Sequence, residues 1–372
     1  MDSFAFIIHP INPKRDVSRK FPLLGRLLSP RQIDLLSAYF PPIYLSQIDG
    51  LRSDATGKEV RGWFVACPLT PRRMLELPDK TVYRKIVETG RLAERLGAQL
   101  LGLGAFTSVV GDAGETIARR LDIPVTTGDS YTVAVAVEAV LAAAQQMEIP
   151  LTRATAAIMG ATGAIGAAAA ELLAPAVGRL VLIGRRAQAL AALRERLQTW
   201  PGTEVVVAAD AAALAEADLI LTVTSALDTV IESRHLRPGA VVCDVARPRD
   251  VAARVAAERD DVLVIDGGMV QVPGSGAAFH FDFGFPPDKV YACMAETMAL
   301  TLEGRFESFT LGRALSVARV REIAALAARH GFRLSGFRSF ERPVTAADVA
   351  RVAERAHAAG ARRRAPAAGG AP

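Results

Sequence analysis

Apolar residues along this chain fall into short unbroken runs separated by turn signals. Residues 4–8 form one such run, ended by His9-Pro10, and residues 62–66 form another, stopped by Pro68. Residues 100–103 run into Gly104-Ala105-Phe106-Thr107-Ser108. Val125-Thr126-Thr127-Gly128-Asp129-Ser130 repeats the same sequence of strand and polar turn. Each run reads as a buried strand. Residues 81–96 have helical spacing instead, with Gly97 as a C-terminal cap. A stretch of alanine and small apolar residues, 131–147, predicts a long helix closed by Pro150.

From residue 154 the pattern alternates. Strands are predicted at 154–159, 180–183, 204–208, 219–223, 240–244 and 262–265, with helices at 164–173 and 187–197. Buried strands alternating with helices imply βαβ units and a parallel sheet. Residues 288–303 and 317–330 predict helices after the sheet. From about Arg355 the chain becomes rich in Ala, Arg, Gly and Pro, and is expected to be disordered.

Length and composition narrow the class. A chain of 372 residues, half of it apolar, makes about two globular domains with ample core. Three cysteines (Cys67, Cys243, Cys293) suit neither a disulfide scaffold nor a zinc site, so no metal is expected and a reducing cytoplasm is. The start, Met1-Asp2-Ser3-Phe4, does not read as a secretory signal. The best apolar run, 133–144, is broken by Glu138, so no transmembrane segment is expected. A net charge of +5 is too mild for a nucleic-acid binder but favours acidic partners. Part of the excess lies in Lys14, Arg15, Arg19, Lys20, Arg26 and Arg31, which the plain reading leaves as solvated surface.

The strongest local signal is Gly160-Ala161-Thr162-Gly163-Ala164-Ile165-Gly166, between an apolar strand and a helix of small residues. The first glycine permits the tight turn, the second lets backbone approach a pyrophosphate, and the third lets helix and sheet pack closely. The phosphates then meet free N–H groups at the helix start. At the next strand end a carboxylate would select NAD. Gly184-Arg185-Arg186 stands there instead, and cations suit the 2′-phosphate of NADPH. Thr224 and Ser225, after the fourth strand, are placed to flank the nicotinamide or ribose. The expected fold class is therefore α/β, a Rossmann NADP-binding domain preceded by a smaller α/β substrate domain and followed by helices. The expected boundaries are a substrate domain at 1–130, a bridging helix at 131–153, the Rossmann domain at 154–285, helices at 286–340 and an extension at 341–372.

Cys293 follows Pro286-Pro287-Asp288-Lys289-Val290-Tyr291-Ala292. With Asp288 as cap it falls in the second helical turn, deep for a dipole effect on a thiol. That local pattern favours a buried core cysteine, and Cys243 reads as core as well. His9 ends the first strand and is a candidate to face a cleft, whereas His330, before Gly331, reads as a capping cation.

Several stretches together resemble the fatty acyl–acyl-carrier-protein reductases that make aldehydes in cyanobacteria. They are Lys14-Arg15-Asp16-Val17-Ser18-Arg19, Ala55-Thr56-Gly57-Lys58, the Phe106-Thr107-Ser108 turn and Thr127-Gly128-Asp129-Ser130-Tyr131-Thr132. The glycine turn, Tyr291-Ala292-Cys293-Met294-Ala295-Glu296 with Leu302-Glu303-Gly304, and Arg329-His330-Gly331-Phe332 complete the set. The resemblance covers most of residues 1–335. It implies that Cys293 carries an acyl group as a thioester and that NADPH reduces it to a free fatty aldehyde. That chemistry needs donors for the developing oxyanion, and Thr107, Ser108, Ser130 and Thr132 are the candidate polar groups. The resemblance also implies Lys14, Arg15, Arg19 and Lys20 as docking cations for an acidic acyl carrier protein or coenzyme A. A downstream aldehyde-consuming enzyme is a further implied partner, and peripheral membrane contact is compatible with a fatty product. The segment from Val270 to Pro287 departs from the cyanobacterial pattern and is shorter, which puts the acyl tunnel and chain-length preference in doubt.

Two alternatives stay open. One is a shikimate-type NADP-dependent dehydrogenase without covalent catalysis, although no lysine accompanies the Phe106-Thr107-Ser108 turn. The other is a non-catalytic NADP-binding protein, which would need no thiol.

Overall fold

The computed structural model describes residues 1–274, 276–282, 284 and 286–364. The chain builds two compact units, each from two stretches: residues 1–135 with 268–335, and residues 136–267 with 336–372.

The first stretch lays down β1 (Ser3–Ile8), β2 (Ile43–Arg52), β3 (Glu59–Ala66), β4 (Leu101–Leu103) and β5 (Val125–Thr126), in the sheet order β2-β3-β1-β4-β5. β1 runs parallel to β3 and β4, and β4 parallel to β5, while β2 is an antiparallel edge. β1 shows why these runs are apolar throughout. Ala5 and Ile7 pack into a core that includes Val82 and Ile86 of the helix Asp79–Arg95. Phe4 and Phe6 enter the opposite core, with Ala295 and Met298 of the helix Ala292–Glu303. Burying each large side chain stabilises the unit by about 1.5–3 kcal/mol. The sequence pattern missed β2. It pairs with register shifts between Tyr44 and Ser46 and between Ile48 and Leu51, which erase the two-residue alternation.

The second stretch gives β6 (Thr155–Met159), β7 (Arg179–Ile183), β8 (Glu204–Ala208), β9 (Leu219–Thr222), β10 (Val241–Asp244) and β11 (Leu263–Asp266). They form one parallel sheet in the order β11-β10-β9-β6-β7-β8. This is the doubly wound Rossmann order, with its reversal between β6 and β9.

The third stretch, β12 (Met269–Gln271), β13 (Lys289–Tyr291) and β14 (Arg333–Leu334), forms a small antiparallel sheet of the first unit. β12 pairs with β13 and β14 rather than extending the Rossmann sheet. The division therefore falls after Gly267, not at the expected residue 285. The first division lies inside the helix Asp129–Gln146 rather than ahead of a separate bridging segment.

The fourth stretch pairs β15 (Phe337–Ser339) with β16 (Arg342–Val344) and ends in the helix Ala346–Arg364. This corrects the expected disorder from Arg355 as far as Arg364. Thr345 and Asp348 form a reciprocal capping box, and alanine and arginine then propagate the helix. The expectation for residues 365–372 lies outside the described residues, as do Ser275, Phe283 and Phe285 of the departing segment.

Candidate active site

In the first unit, β1, β4 and β5 run in the same direction, and a polar turn follows each strand end. His9 lies just past β1, Thr107 and Ser108 past β4, and Thr127 to Ser130 past β5. The carboxyl edge of parallel strands is where ligands bind in open α/β sheets. The helix Ala292–Glu303 starts at this edge. The Gly128 turn sits against its first residues, and at Gly128, φ is +75° and an added Cβ would lie 2.3 Å from the Cys293 Cα. Only glycine allows both that backbone angle and that approach.

The helix begins later than expected. Lys289 to Tyr291 pair with β12, so helical geometry cannot start before Ala292, and Tyr291 is the N-cap. Cys293 is therefore the second helical residue, in the first turn. No side chain caps this end, and the Cys293 and Met294 N–H groups act on the thiol in the direction that lowers its pKa. Burial acts more strongly the other way. With the nearby Asp129 and Glu296 it pushes the thiol up to about 12. The resting group is a thiol, and it needs a base to react. Of the three cysteines, Cys67 and Cys243 are wholly enclosed while Cys293 keeps partial exposure. The core reading of Cys243 holds, whereas Cys293 packs against the core yet keeps partial exposure.

Two buried carboxyl groups flank the thiol. Glu296 accepts from Thr126 Oγ1 at 2.5 Å and from the Tyr131 N–H at 2.9 Å, which ties the cysteine helix to the start of the helix Asp129–Gln146. Thr310 supports the same turn. Its N–H donates to Thr126 Oγ1, its carbonyl accepts from Thr127 N–H, and its hydroxyl lies 2.9 Å from Ser130 Oγ. Asp129 has no comparable set of donors. Burial, with Glu296 adding repulsion, pushes its carboxyl up to about 7. Sequence reasoning passed over Asp129 as a functional group. Its signal was a carboxylate placed one residue after a turn glycine, at a strand end.

The expected hydroxyls are present but occupied. Thr107 Oγ1 donates to the Gly104 carbonyl and Ser108 Oγ to the Ala105 carbonyl, both at 2.7 Å, and both side chains are buried. His9 is buried too, and burial pushes it down to about 4, against a small pull from the Pro10 carbonyl. Its Nε2 accepts from the Phe106 N–H at 3.1 Å. His330 is a correction. It is buried, bridges Ser53 and Glu303, and is held below its usual pKa by burial and by Arg329 and Lys58, so it is no capping cation. Gly331 caps that helix.

In the second unit the glycine turn follows β6 at the reversal of strand order. An added Cβ at Gly166 would meet the Gly160 carbonyl oxygen at 2.3 Å, so the third glycine is required for the close packing of helix on turn. Gly163 is the N-cap of the helix Ala164–Leu173, and no side chain caps it. The amides of Ala164, Ile165 and Gly166 are thus the first N–H groups of a helix, the arrangement that binds phosphate. Arg186, after β7, is exposed and hydrogen-bonds the Thr162 carbonyl, so the structure brings the expected cation onto the turn. Arg185 is exposed beside it. These residues fit a nicotinamide dinucleotide, and cations with no carboxylate at the β7 end fit a 2′-phosphate.

Thr224 has a structural task as well. Its N–H and hydroxyl, with the Thr222 hydroxyl, all donate to Asp250, which is wholly buried. Ser225 next to it is exposed. Nothing local in the sequence marked Asp250 for this role.

A family model described as shikimate / quinate 5-dehydrogenase matches residues 142–267. The long-chain acyl-(acyl-carrier-protein) reductase of Synechococcus elongatus is 30% identical over 299 residues, which cover 75% of this chain and 84% of that protein. The aminotransferase PigE of a Serratia species is 33% identical over 289 residues, 75% of this chain but 33% of that protein, so this chain spans about a third of its length. Among solved structures, L-tryptophan dehydrogenase from Nostoc punctiforme is 12% identical with a TM-score of 0.38, covering 95% of this chain and 88% of that one.

Proposed function

This chain belongs to the family of the long-chain acyl-(acyl-carrier-protein) reductase, and on that premise we propose that it reduces a long-chain acyl thioester to the fatty aldehyde. It has an oxidoreductase-type NAD(P)-binding fold. The proposal adds NADPH as the cofactor, Cys293 as the acyl carrier, and an acyl carrier protein or coenzyme A thioester as the donor. The observation that carries it is a partly exposed cysteine in the first turn of a helix, pressed against the Gly128 turn with the Asp129 carboxyl beside it.

The residues divide the work. As Cys293 sulfur attacks the thioester carbonyl carbon, the ionised Asp129 takes the thiol proton. The new carbon–sulfur bond forms, the old one breaks, and the departing thiolate receives that proton from Asp129. One hydride is the chemistry a bound NADPH supplies. The amides of Ala164, Ile165 and Gly166, with Thr162, Arg185 and Arg186, would hold the phosphates. The reduced carbon then keeps its oxygen as the aldehyde while its bond to the Cys293 sulfur breaks, and the released thiolate takes a proton from solvent through Asp129. The Cys293 and Met294 N–H groups favour negative charge at the sulfur. Thr107, Ser108 and Ser130 serve by shaping the turns, because the first two hydroxyl protons are already donated. The match of residues 142–267 to the shikimate model favours a second reading, a dehydrogenase that needs no thiol.

Intact mass spectrometry separates the two. Incubation with a long-chain acyl thioester without NADPH is expected to add one acyl group at Cys293, lost as aldehyde when NADPH is added. Cys293→Ala is expected to abolish the adduct and lower aldehyde formation at least ~10⁴-fold. Full turnover by that variant would overturn the reading.

A further inference from the structure

Fourteen large apolar side chains are exposed among the described residues, and eight of them lie between Phe21 and Tyr44. Three short helices, Pro13–Lys20, Pro22–Leu27 and Pro30–Ser37, carry four of the eight, the first packing on the other two, and the rest flank them. The inward positions are few: Gly25 on the second helix, Ile33 and Ser37 on the third. Leu23 and Leu27, one turn apart, therefore stand outward at 73% and 77% exposure, and Tyr39 just beyond is 80% exposed. Side chains this exposed are projections, not the lining of a groove.

The same stretch is cationic. Lys14, Arg15, Arg19, Lys20, Arg26 and Arg31 face only Asp16 and Asp34 between residues 13 and 40, leaving +4 of the chain's net +5. Arg15 and Arg19 pair with Asp16, and Lys20 donates to the Leu45 carbonyl near the Tyr44 ring. Lys14, Arg26 and Arg31 are exposed.

We infer that residues 13–44 bind the surface of an anionic membrane, with Leu23, Leu27 and Tyr39 in the acyl boundary and the cations at the phosphates. Exposed leucines and a tyrosine in one stretch with exposed Lys and Arg match the division between hydrocarbon and headgroup. A second copy of this face would set +4 against +4. No helix among the described residues is long and apolar enough to cross a membrane, so the contact is peripheral. This inference does not rest on the proposed reaction.

The test is sedimentation of the full chain with vesicles of phosphatidylcholine, and of equimolar phosphatidylcholine and phosphatidylglycerol. Binding is expected to the anionic vesicles and to weaken with salt. Leu23→Gln/Leu27→Gln/Tyr39→Ser is expected to lower partitioning at least ~10-fold. Arg26→Glu/Arg31→Glu is expected to lower it about fivefold per cation and to remove the lipid preference. Unchanged thermal melting and light scattering of both variants show that fold and oligomeric state are intact. Absence of binding, binding equal on both vesicles, or binding that neither variant weakens would overturn the inference. So would a dimer that the apolar variant dissociates.

Discussion

Both units present the carboxyl edge of a parallel sheet, yet they use it differently. In the proposed reaction the working groups of the Rossmann unit are backbone amides, supplied by the seven consecutive residues from Gly160 to Gly166. In the first unit they are side chains. Cys293, Asp129, Glu296, Thr126 and Thr310 come from three distant segments and are mostly buried. A phosphate is held from outside by a helix end, so its site is local and open. A thiol acting as proposed, protonated until its substrate arrives, needs burial and a nearby base, so its site is assembled from afar. The first kind tolerates change at the ligand's own contact point, whereas the second couples chemistry to folding.

Two glycine substitutions should separate the edges most widely. Gly128→Ala forces a Cβ onto Cys293 at a positive φ, and is expected to destabilise the protein by at least ~3 kcal/mol with loss of any acyl adduct. Gly163→Ala sits at φ −78° with only the Gly160 oxygen near, at 3.3 Å. It is expected to keep stability within about 0.5 kcal/mol while weakening NADPH binding about tenfold. Urea melts and cofactor titration measure both, and equal destabilisation would erase the contrast.

Asp129→Asn comes next. Acylation of Cys293 is expected to slow about 100-fold and to lose its rise with pH near 7, where the wild-type carboxyl ionises. Stability should move oppositely. Asp129's folded pKa is raised, so its contribution is full below its ordinary range near 4 and is lost as pH rises through about 7. The Asn variant should therefore melt higher than wild type at pH 8, by a smaller margin at pH 5. A pH-rate profile that keeps its inflection would remove Asp129 from the reaction.

The smallest effect is expected at Arg186. Arg186→Ala should raise the KM for NADPH about tenfold and leave NADH unchanged, since one charge-assisted contact is lost. Equal losses for both cofactors would assign Arg186 to the turn alone, through its bond to Thr162.

Apolar runs and glycine spacing determined more of this protein than any single reactive residue did. Strand positions in both sheets, the helix Ala164–Leu173 and the phosphate turn are legible because each depends on neighbours within a few residues. β2 was hidden by its bulges, and the helix Ala346–Arg364 by a composition that also suits disorder. The placement of Cys293 was decided only by tertiary structure. Its helix starts where β13 stops pairing with β12, a partner some twenty residues earlier, and its electrostatics come from Asp129, more than 150 positions away. Short-range geometry is written in adjacent residues, whereas burial and charge at one atom depend on which segments the fold packs around it.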